Sequence, residues 1–194
     1  MNPKLSRRRF IKGVIFSSAA AASGVGVYLQ AQSRSNAVTE RLLSLNVNGR
    51  ARLVDVAPNE TLAFTLRNKL GLTGTKVACN RGECGACTVL LDNVSNYSCS
   101  VLTHTVKTRA ITTVEGLRAA DGTLSAVQQG FIEELGPQCG FCTPGQVMAA
   151  TALLIANPRP SREQARQALS GNLCRCGAYD HYLNGVMRAA ELLS

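Results

Sequence analysis

The sequence contains no tryptophan and few other aromatic residues, and these absences restrict the kinds of protein it can encode. Aromatic residues make up 5% of the 194-residue chain, and there is neither a basic stripe interleaved with aromatics nor a groove-reading motif, so no nucleic-acid partner is predicted. With so few large aromatic side chains, two small domains would each have a thin hydrophobic core. Domains of that size often need additional stabilisation, and a bound metal centre can provide it.

Several reactive arrangements are also missing. The sequence has no nucleophile–base constellation and no phosphate-binding loop, so the chain itself is not expected to make or break bonds. The bacterial C-x2-C-x2-C run typical of [4Fe–4S] proteins is absent. Rieske-type ligation needs two histidines, and neither His104 nor His181 lies within a cysteine motif. Both histidines are therefore predicted to be surface residues rather than ligands.

Cysteines, by contrast, are plentiful and regularly placed. The eight cysteines fall into two sets of four, spaced C-x4-C-x2-C-x11-C and C-x2-C-x31-C-x-C. The first set is Cys79, Cys84, Cys87 and Cys99, and the second set is Cys139, Cys142, Cys174 and Cys176. Four thiolates hold one [2Fe–2S] cluster, and the first set opens with the plant-type spacing. The spacing therefore predicts two clusters and a role in electron transfer.

The N-terminal segment is predicted to be a targeting signal. Residues 6–12 read S-R-R-R-F-I-K, which matches a twin-arginine (Tat) export signal, and residues 13–33 carry no charge. Residues 1–33 are therefore assigned to a signal that places the protein in the periplasm or on the extracytoplasmic face of the membrane. The uncharged stretch is also about long enough to span a bilayer, so a retained anchor is an alternative. A polar linker follows at 34–42.

Disulfides and zinc are the alternative roles for the cysteines of an exported protein. Cys174 and Cys176 are separated by one residue, which suits converging ligands better than a disulfide framework. Four-cysteine zinc sites usually pair C-x2-C with C-x2-C, unlike the first set. The second set alone is ambiguous between zinc and iron–sulfur.

Residues 43–116 predict a small α+β domain. The N-G dipeptide at 48–49 lies between two apolar runs, which is a strong hairpin signal. Apolar spacing predicts a short helix at 61–70, and strands are predicted at 88–91 and 110–114. The first three cysteines lie in the loop before the 88–91 strand, and Cys99 is expected to close the site from a neighbouring strand.

Residues 117–194 predict a compact four-helix bundle. The predicted helices are 123–135, 143–156, 161–171 and 179–193. Thr143 is predicted to cap the second of these helices, with Gln146 completing a capping box. Gly171 occupies a C-terminal cap position.

The second cysteine set lies on both sides of a predicted helical hairpin. Cys139 and Cys142 precede its first helix, and Cys174 and Cys176 follow its second. An antiparallel hairpin brings these two ends together, so the long gap between the cysteine pairs can close one site. The helix N-terminus beside Cys142 would favour an anionic cluster.

The cysteine motifs, taken with their neighbours, resemble the iron–sulfur small subunit of the molybdenum hydroxylases, the xanthine dehydrogenase family. The matching segments are 79–92, 138–145 and 169–176, and the resemblance extends over 43–193. It implies a plant-ferredoxin-like (β-grasp) domain followed by a four-helix domain, each with one [2Fe–2S] cluster. It also implies a large partner subunit that carries a molybdopterin cofactor. Gln138 matches the family glutamine that contacts the pterin.

Two positions of the first loop depart from the family pattern. Ala78 and Asn80 stand where the family often has glycine. Asn tolerates a left-handed backbone, so the loop is expected to keep its course. Gly82 and Gly85 would let backbone N–H groups approach the anionic cluster closely.

Three hypotheses follow. The first is a non-catalytic electron-transfer subunit of an exported molybdenum hydroxylase that oxidises an aldehyde or an N-heterocycle. In the family the C-terminal cluster lies nearer the molybdenum and passes electrons to the N-terminal cluster; a cytochrome c or FAD subunit is a further candidate partner. The second hypothesis is a free-standing exported two-cluster ferredoxin, and the third is a zinc- or disulfide-stapled structural protein.

Overall fold

The computed structural model describes residues 41–193. The predicted export signal at 1–33, and all but the last two residues of the predicted linker at 34–42, lie outside this range. Within the described part of the chain, no helix is both long and apolar enough to cross a membrane.

Five strands form one mixed sheet in the order β2-β1-β5-β3-β4. The strands are β1 (Leu42–Val47), β2 (Arg50–Asp55), β3 (Thr88–Leu91), β4 (Val94–Tyr97) and β5 (Ile111–Thr112). β1 is parallel to β5, and the other neighbouring strands are antiparallel. This sheet with its associated helices is an α+β ferredoxin-like fold, as the sequence predicts.

A two-residue turn sets the register of the β1–β2 hairpin. Asn48 and Gly49 join β1 to β2 with φ values of 52° and 72°, which confirms the predicted hairpin. The Asn48 side chain also accepts a hydrogen bond from the Thr113 amide (2.9 Å) and donates one to its hydroxyl (2.9 Å). Thr113 thus bonds the hairpin turn, and β5 is shorter than the predicted 110–114 strand.

The predicted helix at 61–70 is present but is not a regular α-helix. One turn of α-helix, α1 (Leu62–Phe64), continues as a π-helical segment over Thr65–Lys69. Thr61 caps the start, as its hydroxyl accepts from the Phe64 amide (3.4 Å). Leu62 and Leu66 are fully buried and attach this element to the sheet.

Four longer helices follow in the C-terminal half. They are α2 (Ala126–Glu133), α3 (Thr143–Ala156), α4 (Arg162–Leu169) and α5 (Tyr179–Leu192). Ser125 and Ser161 begin α2 and α4 with complete capping boxes, and the second of these was predicted from the sequence. α2 is shorter at both ends than the predicted 123–135 helix.

The predicted N-terminal cap of α3 is wrong. Cys142, not Thr143, is the N-cap of α3, and Gln146 makes no capping box. The Thr143 hydroxyl instead bonds the Tyr182 hydroxyl at 2.7 Å, and Gln146 Nε2 donates to the Asn172 carbonyl at 2.8 Å. Tertiary partners therefore replace the local cap.

Gly171 is also not a left-handed cap, because Ser170 is the C-cap of α4 and the φ of Gly171 is not positive. Glycine is required there for another reason. A Cβ at 171 would collide with the Tyr97 hydroxyl.

The buried apolar side chains form a separate core in each half of the fold. One core lies between the sheet and the α1 segment, and its largest members include Leu45, Leu62 and Ile111. The other lies among the helices and includes Phe131 and Tyr182, whose ring centroids are 5.1 Å apart. The boundary between the predicted 43–116 and 117–194 domains stays a prediction.

Candidate metal centres

The loop of the first cysteine set turns its backbone N–H groups towards sulfur. Asn80, Gly82 and Gly85 have φ values of 52°, 78° and 68°, so the left-handed backbone expected at Asn80 is confirmed. The N–H groups of Arg81 and Glu83 point at the Cys79 sulfur and lower the pKa of its thiol to about 6. Such a nest of N–H groups favours an anionic ligand.

Cys87 and Cys99 form the inner side of this set. They are 3% and 6% exposed and pack with Ala63 of α1. The sequence predicted that Cys99 lies in a strand. It lies instead in a 3₁₀ turn at Ser98–Ser100, directly after β4. The Ser98 hydroxyl donates to the Cys87 carbonyl (2.7 Å) and so ties the turn to β3. Burial raises the pKa of the Cys87 thiol to about 11.

A buried polar network holds the chain that follows Cys99. The Thr65 hydroxyl donates to the Glu60 carboxylate (2.6 Å) and lies 2.7 Å from the Thr103 hydroxyl. Lys69 forms an ion pair with the same carboxylate at 2.6 Å. Burial alone would raise the pKa of Glu60, but Lys69 and Thr65 outweigh it and lower that pKa. A charged Glu60 therefore anchors this segment against the π-helical turn.

The second cysteine set is assembled from the two ends of the α3–α4 hairpin, as predicted. Cys142 and Cys174 are buried, whereas Cys139 and Cys176 are exposed. Burial raises the pKa of Cys142 to about 11. Burial would also raise the pKa of Cys174, but N–H groups including that of Ala178 lower it overall.

Two tyrosines of α5 that sequence reasoning missed line the second set. The Cys174 amide donates to the Tyr179 hydroxyl at 3.0 Å, and the Tyr182 hydroxyl lies 3.5 Å from the Cys142 sulfur. Their spacing of three residues puts both on one helix face, which is the signal that could have indicated them.

Within each set, the interactions that shift the thiol pKa values link the cysteines in two pairs. The pairs are Cys79 with Cys84, Cys87 with Cys99, Cys139 with Cys176, and Cys142 with Cys174. In residues 41–193, no three or more His, Cys, Asp or Glu side chains converge as they would around a single metal ion. A zinc site needs four ligands around one centre, whereas each iron of a [2Fe–2S] cluster takes two protein ligands. The paired thiols therefore fit the two protein ligands that each iron of a [2Fe–2S] cluster takes.

Each histidine ring lies close to a main-chain oxygen. The His104 ring lies 3.3 Å from the Val56 carbonyl oxygen, and the His181 ring lies 3.0 Å from the Glu134 carbonyl oxygen. No disulfide joins any of the eight cysteines.

The two sets adjoin one cavity of about 520 Å³. Cys84 of the first set lines it together with Cys139, Cys142 and Cys174 of the second set. Gln138, the predicted pterin contact, is exposed and directly precedes Cys139 in the sequence.

Two family models match the chain, and each covers one of the two cysteine sets. Residues 45–111 match the model of a 2Fe-2S iron–sulfur cluster binding domain, and residues 113–187 match that of a [2Fe-2S] binding domain. The nicotine 6-hydroxylase small subunit of Paenarthrobacter nicotinovorans is 48% identical over 147 residues, which are 76% of this chain and 88% of that one. The nicotinate dehydrogenase small FeS subunit of Eubacterium barkeri is 45% identical over 77% of this chain and 94% of its own. The chain belongs to the [2Fe–2S] small subunits of the molybdenum hydroxylase family.

A solved structure supports this assignment of the small subunit. The chain matches quinoline 2-oxidoreductase from Pseudomonas putida 86 with a TM-score of 0.74 and 40% sequence identity, over 78% of this chain and 96% of that one. The protein is thus the iron–sulfur subunit of an oxidoreductase complex, as the sequence predicts.

Proposed function

We propose that the small subunit carries electrons from a molybdopterin centre in a large partner subunit to an acceptor, through two [2Fe–2S] clusters. The observation that carries this proposal is the pairing of all eight thiols in two sets within one compact unit, Arg41–Ser194. When bound, each cluster takes up and releases one electron. The protein's own part is to hold the clusters at a fixed separation and to surround their sulfurs with N–H groups.

The exposure of the two sets supports an order of transfer. Cys139 and Cys176 are exposed, and Gln138 beside them is exposed too. A partner subunit can therefore reach the second set directly, whereas Cys79 and Cys84, the outer pair of the first set, are only partly exposed. In this proposal the C-terminal half is a four-helix bundle that receives electrons, and Gln138 contacts the pterin.

The acceptor side follows from the predicted export signal. A protein exported by the Tat route would work in the periplasm or on the outer face of the membrane, where an uncleaved N-terminal segment would anchor it. A soluble nicotinamide acceptor does not suit that location, so a cytochrome c subunit is proposed ahead of an FAD subunit.

The names of the relatives point to a substrate class. Nicotine, nicotinate and quinoline, named in three relatives, are N-heterocycles. We therefore propose an N-heterocycle ahead of an aldehyde as the substrate that the large subunit oxidises.

Purification of the tagged small subunit from its own host tests this function. The expected result is co-purification of a larger molybdopterin-containing subunit, together with two distinct reduced [2Fe–2S] signals in electron paramagnetic resonance (EPR). A chain that purifies alone with both signals would instead be a free-standing ferredoxin. A colourless chain with stoichiometric zinc would contradict both hypotheses. Mass spectrometry of the native N-terminus distinguishes a cleaved signal from a retained anchor.

The Tyr182 hydroxyl is predicted to tune the second cluster. Tyr182→Phe keeps the buried ring and removes the group 3.5 Å from the Cys142 sulfur. Hydrogen bonds to sulfur stabilise the reduced cluster, so its potential should fall by about 50 mV, given about 1 kcal/mol per hydrogen bond and 59 mV per tenfold change for one electron. An EPR-monitored redox titration measures this, with the first cluster as the internal control. A shift of both potentials, or a rise, would contradict the assignment.

A further inference from the structure

A direct backbone contact joins the loops of the two cysteine sets. The Leu173 amide donates a hydrogen bond to the Cys84 carbonyl at 3.0 Å. Cys84 belongs to the first set, and Leu173 is bonded covalently to Cys174 of the second set. A route of covalent bonds and one hydrogen bond therefore connects a thiol of one set with a thiol of the other.

Asn172 fixes this contact from the adjacent position. Its side chain is almost fully buried, and its Nδ2 donates to the Gly85 carbonyl at 2.9 Å and to the Thr88 hydroxyl at 3.2 Å. The Thr88 hydroxyl donates in turn to the Gly85 carbonyl at 2.6 Å. The Asn172 carbonyl accepts from Gln146 of α3 at 2.8 Å. A buried amide in such a network is costly to displace, so the two loops have one defined separation.

The backbones can come this close only because glycine occupies the contact. A Cβ at Gly85 would lie 2.6 Å from both the Gly171 carbonyl oxygen and the Asn172 Nδ2. The Tyr97 hydroxyl also donates to the Gly171 carbonyl at 2.9 Å, which links β4 to the same loop. We call Asn172, Leu173, Cys84, Gly85 and Thr88 the interloop clamp.

We propose that Asn172 is a positioning residue for electron transfer between the two sets, and that the Leu173–Cys84 hydrogen bond lies on the transfer route. This inference rests on the proposed function, because it requires a cluster at each set. The step moves one electron from the second site to the first: one site is oxidised, the other is reduced, and no bond or proton changes. Asn172 contributes by keeping the Cys84 carbonyl against the Leu173 amide.

The test uses the complete complex with Asn172→Ala, which removes both side-chain bonds of the clamp. A second variant, Thr88→Val, replaces only the hydroxyl with a methyl group. The conservative variant Thr88→Ser keeps the hydroxyl. Asn68→Ala is the matched control, since Asn68 is exposed and its side chain bonds only the Phe64 carbonyl in its own helix. Iron content, the spin–spin interaction between the reduced clusters, and the intercluster rate after pulse reduction are measured for each.

Asn172→Ala and Thr88→Val should keep both clusters but weaken the spin–spin interaction. Their intercluster rate should fall severalfold, because loss of the Leu173–Cys84 contact lengthens the transfer route. Thr88→Ser and Asn68→Ala should match the wild type. An unchanged rate and interaction in Asn172→Ala would overturn the proposal, and so would loss of a cluster in both clamp variants, because the residues would then build a site rather than set a separation. A wild-type chain without two clusters would refute the proposed function itself.

Discussion

Replacing Cys142 with alanine should remove one [2Fe–2S] cluster and leave the other, so that iron falls from about four to about two atoms per chain. Cys142 pairs with Cys174, and its loss would leave one iron of that cluster with a single protein thiolate. The first set lies on a separate loop with its own pairs and should keep its cluster. Iron and acid-labile sulfide analysis, with EPR of the reduced protein, measures the change.

The corresponding variant of the first set, Cys87→Ala, should remove the EPR signal of the first cluster and leave the second cluster intact. Ser95→Ala serves as a control, because Ser95 is exposed in β4 and belongs to neither set. Unchanged iron in either cysteine variant would contradict the assignment of two thiolates to each iron. Because metal binding contributes folding free energy, each variant should also destabilise the half of the fold that loses its cluster.

Local sequence signals predicted much of the fold. The Asn48-Gly49 hairpin has the expected left-handed turn, and the capping box at Ser161 starts α4 where it was expected. Both depend on residues within three positions of each other, so a short stretch of sequence contains all the necessary information. The grouping of the eight cysteines into two sets of four came from spacing over longer stretches of sequence, and it stays a prediction.

Long-range contacts could not be predicted in the same way. Asn172 and Gly85 are 87 residues apart, and no periodicity or cap links them. Gln146 satisfied a capping-box pattern, but the Asn172 carbonyl competes successfully for its side chain. The partner of each thiol was also beyond the spacing rule, because Cys84 pairs with Cys79 although Cys87 is nearer in sequence.

Gly145→Ala should destabilise the protein although it improves helix propensity. In the first turn of α3, alanine is favoured over glycine by about 1 kcal/mol. A Cβ at 145, however, would overlap the Gly85 carbonyl oxygen and lie 3.0 Å from the Asn172 Nδ2. Overpacking of this kind typically costs about 1–3 kcal/mol, and here the obstacle is backbone that cannot rotate away. A net loss of about 1–2 kcal/mol should lower the melting temperature by about 3–8 °C.

The same substitution should push α3 away from the loop of the first set and weaken the spin–spin interaction between reduced clusters. Gly49→Ala separates this effect from simple destabilisation. Gly49 has a φ of 72° and nothing within 4 Å of an added Cβ, so alanine there costs about 1–2 kcal/mol of backbone strain alone. It should lower the melting temperature by a similar amount and leave the spin–spin interaction unchanged. Equal loss of that interaction in both variants would mean that global stability, rather than the close contact at Gly145, sets the distance between the clusters.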